Sequence, residues 1–143
     1  MQLYYRPYQA ADFSYCNDLM EENMGSYFAA FGINWDPDRY LKELAKGDAW
    51  IIWLNQEKVG FVHTSKKKGL PYIDSIQIAS LYRKKGIGSR VLSWLELACK
   101  QAGHQEMRLS VFKSSPALKL YHRIGYEIKE DRGSKYLMHK FLR

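Results

Sequence analysis

The sequence predicts a single α/β domain over residues 1–143, with a mixed, mostly antiparallel central sheet and helices on both faces. The first observation is length, since 143 residues is the usual size of one compact domain. The second is the apolar pattern, which switches between the two-residue repeat of strands and the helical repeat in the order β-α-α-β-β-β-α-β-α-β-β. The third is continuity: no internal repeat, linker or low-complexity tract interrupts that order.

Leu3 to Tyr8 reads as extended, and Phe13, Cys16, Met20 and Met24 are spaced along one face of a first helix. Asp36-Pro37 has the form of an N-cap followed by proline at the first helical position, opening a second helix towards Lys46. Residues 49–54 and 59–65 read as strands joined by the turn Asn55 to Lys58, and Lys66 to Pro71 reads as a second turn before a strand over 72–78. From Ile87, the positions Val91, Trp94, Leu95, Ala98 and Ala102 recur with helical spacing until Gly103. Met107 to Phe112 is a further strand. Pro116 to Ile124 is a short helix with Ala117, Leu120, Tyr121 and Ile124 on one side, Gly125 ends it, and two strands close the chain.

Composition excludes several classes. Apolar residues make up 46% and aromatics 15%, enough for a buried core and unlike a disordered chain. The longest apolar run, Ala49 to Leu54, is far short of the ~20 residues a membrane helix needs. The start from Met1 to Pro7 lacks a basic leader and an apolar stretch, so the expected location is cytoplasmic, with no membrane partner. Cys16 and Cys99 have no CxxC spacing and read as buried thiols.

The net charge of +7 is divided: residues 1–38 hold six acids against Arg6 and are net −5, while residues 39–143 are net +12. A basic body favours a phosphorylated cofactor or a nucleic acid, and an acidic segment favours a cationic acceptor.

The loop Arg83-Lys84-Lys85-Gly86-Ile87-Gly88 joins a strand to a long helix. Glycines let a ligand approach the backbone, and amides at a helix start point outward with partial positive charge, an arrangement that binds phosphate. Arg83, Lys84, Lys85 and Arg90 add charge suited to a pyrophosphate. By itself the glycine pattern is weak; the flanking strand and helix sharpen it. With Ile76-Gln77-Ile78 before it, the segment resembles motif A of the GNAT superfamily of N-acetyltransferases. Val111 to Tyr126 resembles that superfamily's motif B, with Ala117, Leu120-Tyr121 and Ile124-Gly125-Tyr126 in the matching places.

The resemblance covers residues 72–130 well and the N-terminal half in outline. It implies a fold with splayed central strands, acetyl-CoA as cosubstrate, no metal, and direct attack by a primary amine without an acyl-enzyme. By the same resemblance, backbone groups of Ile76, Gln77 and Ile78 hold the pantetheine and polarise the thioester. Amides of Lys84, Lys85, Gly86, Ile87, Gly88 and Ser89 cradle the pyrophosphate. Ser114 stands where the family often has an asparagine that fixes the cofactor arm. Tyr121 matches the tyrosine that protonates the leaving sulfur; from spacing alone it is an aromatic on a buried helix face. Asp74 stands where many relatives carry a glutamate and is the candidate base, or else a polar residue at a strand start. His63 and His122 are the other titratable candidates.

Acceptor recognition in this superfamily falls to the N-terminal helices and their connection, here Glu21, Glu22, Tyr27, Trp35 and Asp36. Carboxylates attract a protonated amine and an aromatic face holds it by a cation–π contact, whereas Phe28 and Phe31 read as core. The expected partners are therefore acetyl-CoA and an amine-bearing small molecule or peptide, with homodimerisation left open. Two other classes compete: an acyl-CoA-binding module without turnover, and, ranked last, a nucleic-acid binder using Lys66-Lys67-Lys68 and Arg83-Lys84-Lys85.

Overall fold

The structure, a computed structural model, describes residues 1–143. Its strands are β1 (Leu3–Pro7), β2 (Asp48–Leu54), β3 (Glu57–Lys67), β4 (Leu70–Ile78), β5 (Glu106–Phe112), β6 (Glu127–Asp131) and β7 (Lys135–Phe141). Its helices are α1 (Phe13–Ala30), α2 (Pro37–Leu44), α3 (Ile87–Gln101) and α4 (Ala117–Arg123), in the predicted chain order. One seven-stranded sheet has the order β1-β2-β3-β4-β5-β7-β6. The β4–β5 pair is parallel, and the β1–β2, β2–β3, β5–β7 and β6–β7 ladders are antiparallel, so the sheet is mixed and mostly antiparallel.

The chain forms two compact units, one of Met1–Ser65 with Ser75–Lys85 and the other of Lys66–Asp74 with Gly86–Arg143. In the first, Asp36 caps α2: its Oδ1 accepts from the Asp38 and Arg39 amides at 3.0 and 3.3 Å, with Pro37 at the start of the helix as predicted. α1 ends in a Schellman arrangement, the Ile33 amide donating to the Phe28 carbonyl at 2.8 Å. Cys16 and Leu19 of α1, Tyr40 and Leu44 of α2, Ile51 of β2 and Phe61 of β3 make one buried cluster. β3 is buried without alternation from Val59 to His63, as in a strand covered on both faces. Gly60 lies within that run, where a Cβ would come 2.2 Å from the Gln77 carbonyl oxygen; only glycine lets β4 approach so closely.

In the second unit, the predicted turn Lys66 to Pro71 shrinks to two residues. Lys66 and Lys67 remain in β3 and Leu70 and Pro71 belong to β4, because Lys68 and Gly69 have φ of 54° and 77°, the left-handed pair whose twist matches a hairpin. α3 buries Ile87, Val91, Leu92 and Leu95. The predicted stripe ran too far, since Ala98 and Ala102 are exposed and Leu92 takes part instead. α3 and α4 end in Schellman arrangements: the His104 amide donates to the Cys99 carbonyl at 3.0 Å and the Tyr126 amide to the Tyr121 carbonyl at 2.9 Å. β7 pairs centrally with β5, placing Leu109 opposite Met138. The edge strand β6 is exposed throughout and carries Glu127, Lys129, Glu130 and Asp131, charges that discourage further strand pairing.

Candidate active site

α3 begins at Ile87, which is buried and anchors the helix, while Lys84, Lys85, Gly86 and Arg90 are exposed. Gly86 is its N-cap, with φ of 79° and no side chain bonded to the first-turn amides. Uncovered amides at a helix start attract anions. A Cβ at Gly86 would meet nothing within 4 Å, so the backbone conformation rather than crowding asks for glycine there. Lys84 is also left-handed, with φ of 61°. The other two non-glycine residues of this kind, Asn55 and Lys68, lie in hairpin turns, whereas Lys84 lies in the candidate phosphate loop. Such a conformation costs on the order of 1–3 kcal/mol and clusters at ligand sites. Ser89 and Gly88 are half-buried in the first turn of α3.

Arg83 differs from its basic neighbours. Its Nε donates to the Ile78 carbonyl at 3.2 Å and its Nη2 donates to Asn23 Oδ1. Sequence reading assigned Arg83 to phosphate; the structure turns its guanidinium back onto the end of β4 and onto α1.

The parallel β4–β5 ladder has two Cα partners, Tyr72 with Arg108 and Ile73 with Leu109. β4 nevertheless continues to Ile78 and β5 to Phe112, so these strands run on beyond their shared ladder. Asp74, the next residue of β4, is exposed although its side chain is only 22% exposed, which puts much of the exposure on its main chain. Its carboxylate lies 3.8 Å from Lys67 Nζ, an ammonium that also sits 3.8 Å from the Tyr72 ring centroid. Ile76 and Ile78 are half-buried. Gln77 is buried, and its side chain bonds Ser75 at 2.9 Å and Asn23 at 3.1 Å.

On α4, the half-buried Tyr121 makes no hydrogen bond through its hydroxyl to the protein, and burial pushes its pKa up to about 12. The proton therefore stays on at neutral pH. Its ring meets the Tyr126 ring edge-on at 5.9 Å. The Tyr126 hydroxyl is committed: it donates to Glu96 Oε2 at 3.0 Å, and Lys140 holds the other oxygen at 2.8 Å. Burial and the adjoining carboxylate drive the Tyr126 pKa upward. Ser114 is exposed in the turn after β5. The neighbouring Ser115, not singled out from sequence, accepts from the Ala117 amide at 3.2 Å in a local turn just before α4.

Among the predicted acceptor residues, Glu21 and Glu22 are exposed on α1 and Tyr27 is half-buried. Trp35 is engaged within the fold. Its ring stacks on Phe28 at 5.1 Å and tilts against Tyr40 at 4.7 Å, and its indole N–H donates to Asn17 at 2.9 Å. Asp36 is occupied as the α2 cap, whereas Phe31 is exposed rather than core. The buried His63 places Nε2 2.8 Å from the Lys46 carbonyl; a carbonyl only accepts, so that nitrogen carries the hydrogen. His122 is exposed. Cys16 is buried and, chiefly through burial, its thiol is pushed up to about 12, far from a nucleophilic thiolate.

A family profile described as "Acetyltransferase (GNAT) family" matches residues 16–126. The chain belongs to the GNAT acetyltransferase family. A curated relative, the uncharacterised N-acetyltransferase YafP of Escherichia coli, is 28% identical over 98 residues, which cover 68% of this chain and 58% of the relative. The match thus spans little more than half of that relative's length. Among solved structures, the PaiA N-acetyltransferase of Thermoplasma acidophilum in complex with coenzyme A is 18% identical, with 99% of each chain covered and a TM-score of 0.78. A GNAT-family acetyltransferase of Staphylococcus aureus is 15% identical, with 99% of this chain and 100% of the other covered and a TM-score of 0.80. These similarities show the GNAT fold.

Within this GNAT domain, the site residues that sequence reading missed are those whose partners are remote in the chain. Asn23 meets Gln77 and Ile78, and Glu96 meets Tyr126 and Lys140. No local spacing marks either group.

Proposed function

We propose that this chain is one GNAT domain, acting in the cytoplasm, that transfers acetyl from acetyl-CoA directly to a primary amine. The observation that carries the reading is the start of α3, where a left-handed Gly86 cap, amides without a side-chain cap and the exposed cations Lys84, Lys85 and Arg90 coincide. That donor set fits a pyrophosphate. The amides of Lys84 to Ser89 bind it, and Ile76, Gln77 and Ile78 offer strand backbone to the pantetheine arm, which pairs as an added strand does. Ser114 supports the arm from the turn after β5.

The chemistry assigned to this chain's side chains is proton movement. As the amine nitrogen bonds to the acetyl carbon and the carbon–sulfur bond breaks, Tyr121 gives its proton to the departing sulfur. The amine's proton passes to Asp74, directly or through water. Glu21 and Glu22 draw in the cationic acceptor and Tyr27 is the aromatic face of that segment, whereas Asp36 is taken up as the α2 cap and Trp35 by Asn17, Phe28 and Tyr40. The Lys67–Asp74 pair favours a second reading, an acyl-CoA-binding module without turnover, because it engages the candidate base.

Mixing acetyl-CoA with polyamines, amino acids, aminoglycosides and peptide N-termini, with thiol release as readout, tests the reading. Amine-dependent thiol release is expected. Binding of acetyl-CoA with no release for any amine would leave the module without turnover, and no binding of acetyl-CoA would overturn both.

A further inference from the structure

We infer that Arg83 and Asn23 are positioning residues, a clamp that sets the phosphate loop, and that Arg83 is not a phosphate ligand; this rests on the acetyl-CoA reading above. The Ile78 carbonyl, at the last residue of β4, accepts from Arg83 Nε at 3.2 Å and from Asn23 Nδ2 at 3.1 Å. Two donors use both lone pairs of that oxygen. Asn23 uses both hydrogens of its amide nitrogen and its oxygen as well: Nδ2 also donates to Gln77 Oε1 at 3.1 Å, and Oδ1 accepts from Arg83 Nη2. Gln77 passes the chain of bonds to Ser75 at 2.9 Å. Gln77 and Ser75 are buried, at 8% and 7% exposure, which makes each bond costly to leave unmade.

The geometry ties down the segment that leads into the loop. The Ala79 amide donates to the Val59 carbonyl at 2.9 Å, and Arg83 returns to Ile78, so the segment between them is tied to β3 and to the end of β4. Lys84 follows immediately, in its left-handed conformation. The anchored guanidinium fixes the chain direction in which Lys84 and Lys85 follow. Asn23 also follows Glu22 on α1, so the acidic helix and the phosphate loop share one polar network. A planar fork serves two acceptors in fixed directions, whereas a lysine ammonium keeps the charge and loses that geometry.

The two roles predict opposite results for Arg83→Lys. With acetyl-CoA as probe in calorimetric titrations at low and high salt, the clamp predicts that Arg83→Lys and Arg83→Met weaken binding by a similar factor, about tenfold, with the salt dependence kept. Asn23→Ala, which removes no charge, should match them, and Asn23→Ala with Arg83→Lys should lose no more than either alone. Lys85→Met is the comparator and should lower both affinity and salt dependence. Circular dichroism confirms that each variant is folded at the titration temperature, so that lost stability is not read as lost affinity. Wild-type affinity in Arg83→Lys, together with a Lys85-like loss in Arg83→Met, would overturn the clamp while leaving the acetyl-CoA reading intact. Failure of the wild-type protein to bind acetyl-CoA would overturn that reading and the clamp together.

Discussion

Tyr121 on α4 and Tyr126 at the entry to β6 stand on either side of one helix-ending turn, and their rings touch. Both have hydroxyls that burial keeps protonated. Their surroundings differ in one respect: Tyr126 donates to the carboxylate that Lys140 also holds, while Tyr121 has no protein acceptor. The committed hydroxyl serves the fold, and the uncommitted one is available to a ligand. The same division separates Arg83 from Lys84 and Lys85, and Asp36 from Glu21 and Glu22. Sequence proximity and residue type do not distinguish the members of these sets; hydrogen-bond partners do.

The largest effect expected from this division is on turnover. Tyr121→Phe should lower kcat by about 10²–10⁴-fold, the usual contribution of a general acid, with melting temperature and acetyl-CoA affinity close to wild type. Next comes the phosphate loop. Gly86→Val forces a branched side chain into a left-handed position and should remove the rise in melting temperature that acetyl-CoA gives the wild-type protein, about 2.7 kcal/mol of stabilisation at a hundred times Kd. Thermal scans with and without acetyl-CoA check it, and an unchanged rise would break the assignment of the α3 start.

The fold and the α3 start were legible because each rests on local patterning. Apolar repeats mark the strands and helices, Asp36-Pro37 marks a helix start, and Gly103 and Gly125 mark two helix ends. The cationic loop is equally local. What could not be read is commitment: Trp35 has the composition of a pocket residue, but only tertiary structure brings Asn17 and Phe28 to it. Likewise, Arg83 belongs to the motif by position and to the end of β4 by geometry. The Lys68-Gly69 hairpin reads as a longer turn from sequence because three consecutive lysines resemble a solvated loop, although Lys66 and Lys67 continue β3.

For Tyr126→Phe the comparison predicts the reverse of Tyr121→Phe, with turnover kept and stability lowered by about 1.5–3 kcal/mol, the range for a hydrogen bond to a charged group. Denaturant unfolding measures it, and a turnover defect larger than the stability defect would blur the division. Alkaline titration gives a further check. Tyr121 is raised from 10.0 to about 12 and Cys16 from 9.0 to about 12, so the folded state holds protons that the unfolded chain releases first. Their stabilising contribution is therefore complete below about pH 9 and is lost progressively as pH approaches 12; unfolding free energy should fall over that window. The smallest effects are on the carboxylates. Asp36→Ala should cost about 0.5–2 kcal/mol through the lost cap, whereas Glu21→Gln with Glu22→Gln should shift stability by less than about 0.5 kcal/mol and raise only the acceptor KM.

Single-turnover acetyl transfer tests the central claim most directly, with saturating acceptor and acetyl-CoA limiting, so that product release does not mask the chemical step. Wild type, Tyr121→Phe and Tyr126→Phe are compared at a temperature where all three are folded. The account predicts a rate lowered by about 10²-fold or more in Tyr121→Phe and a rate near wild type in Tyr126→Phe. A wild-type rate in Tyr121→Phe, or equal losses in the two variants, would contradict it.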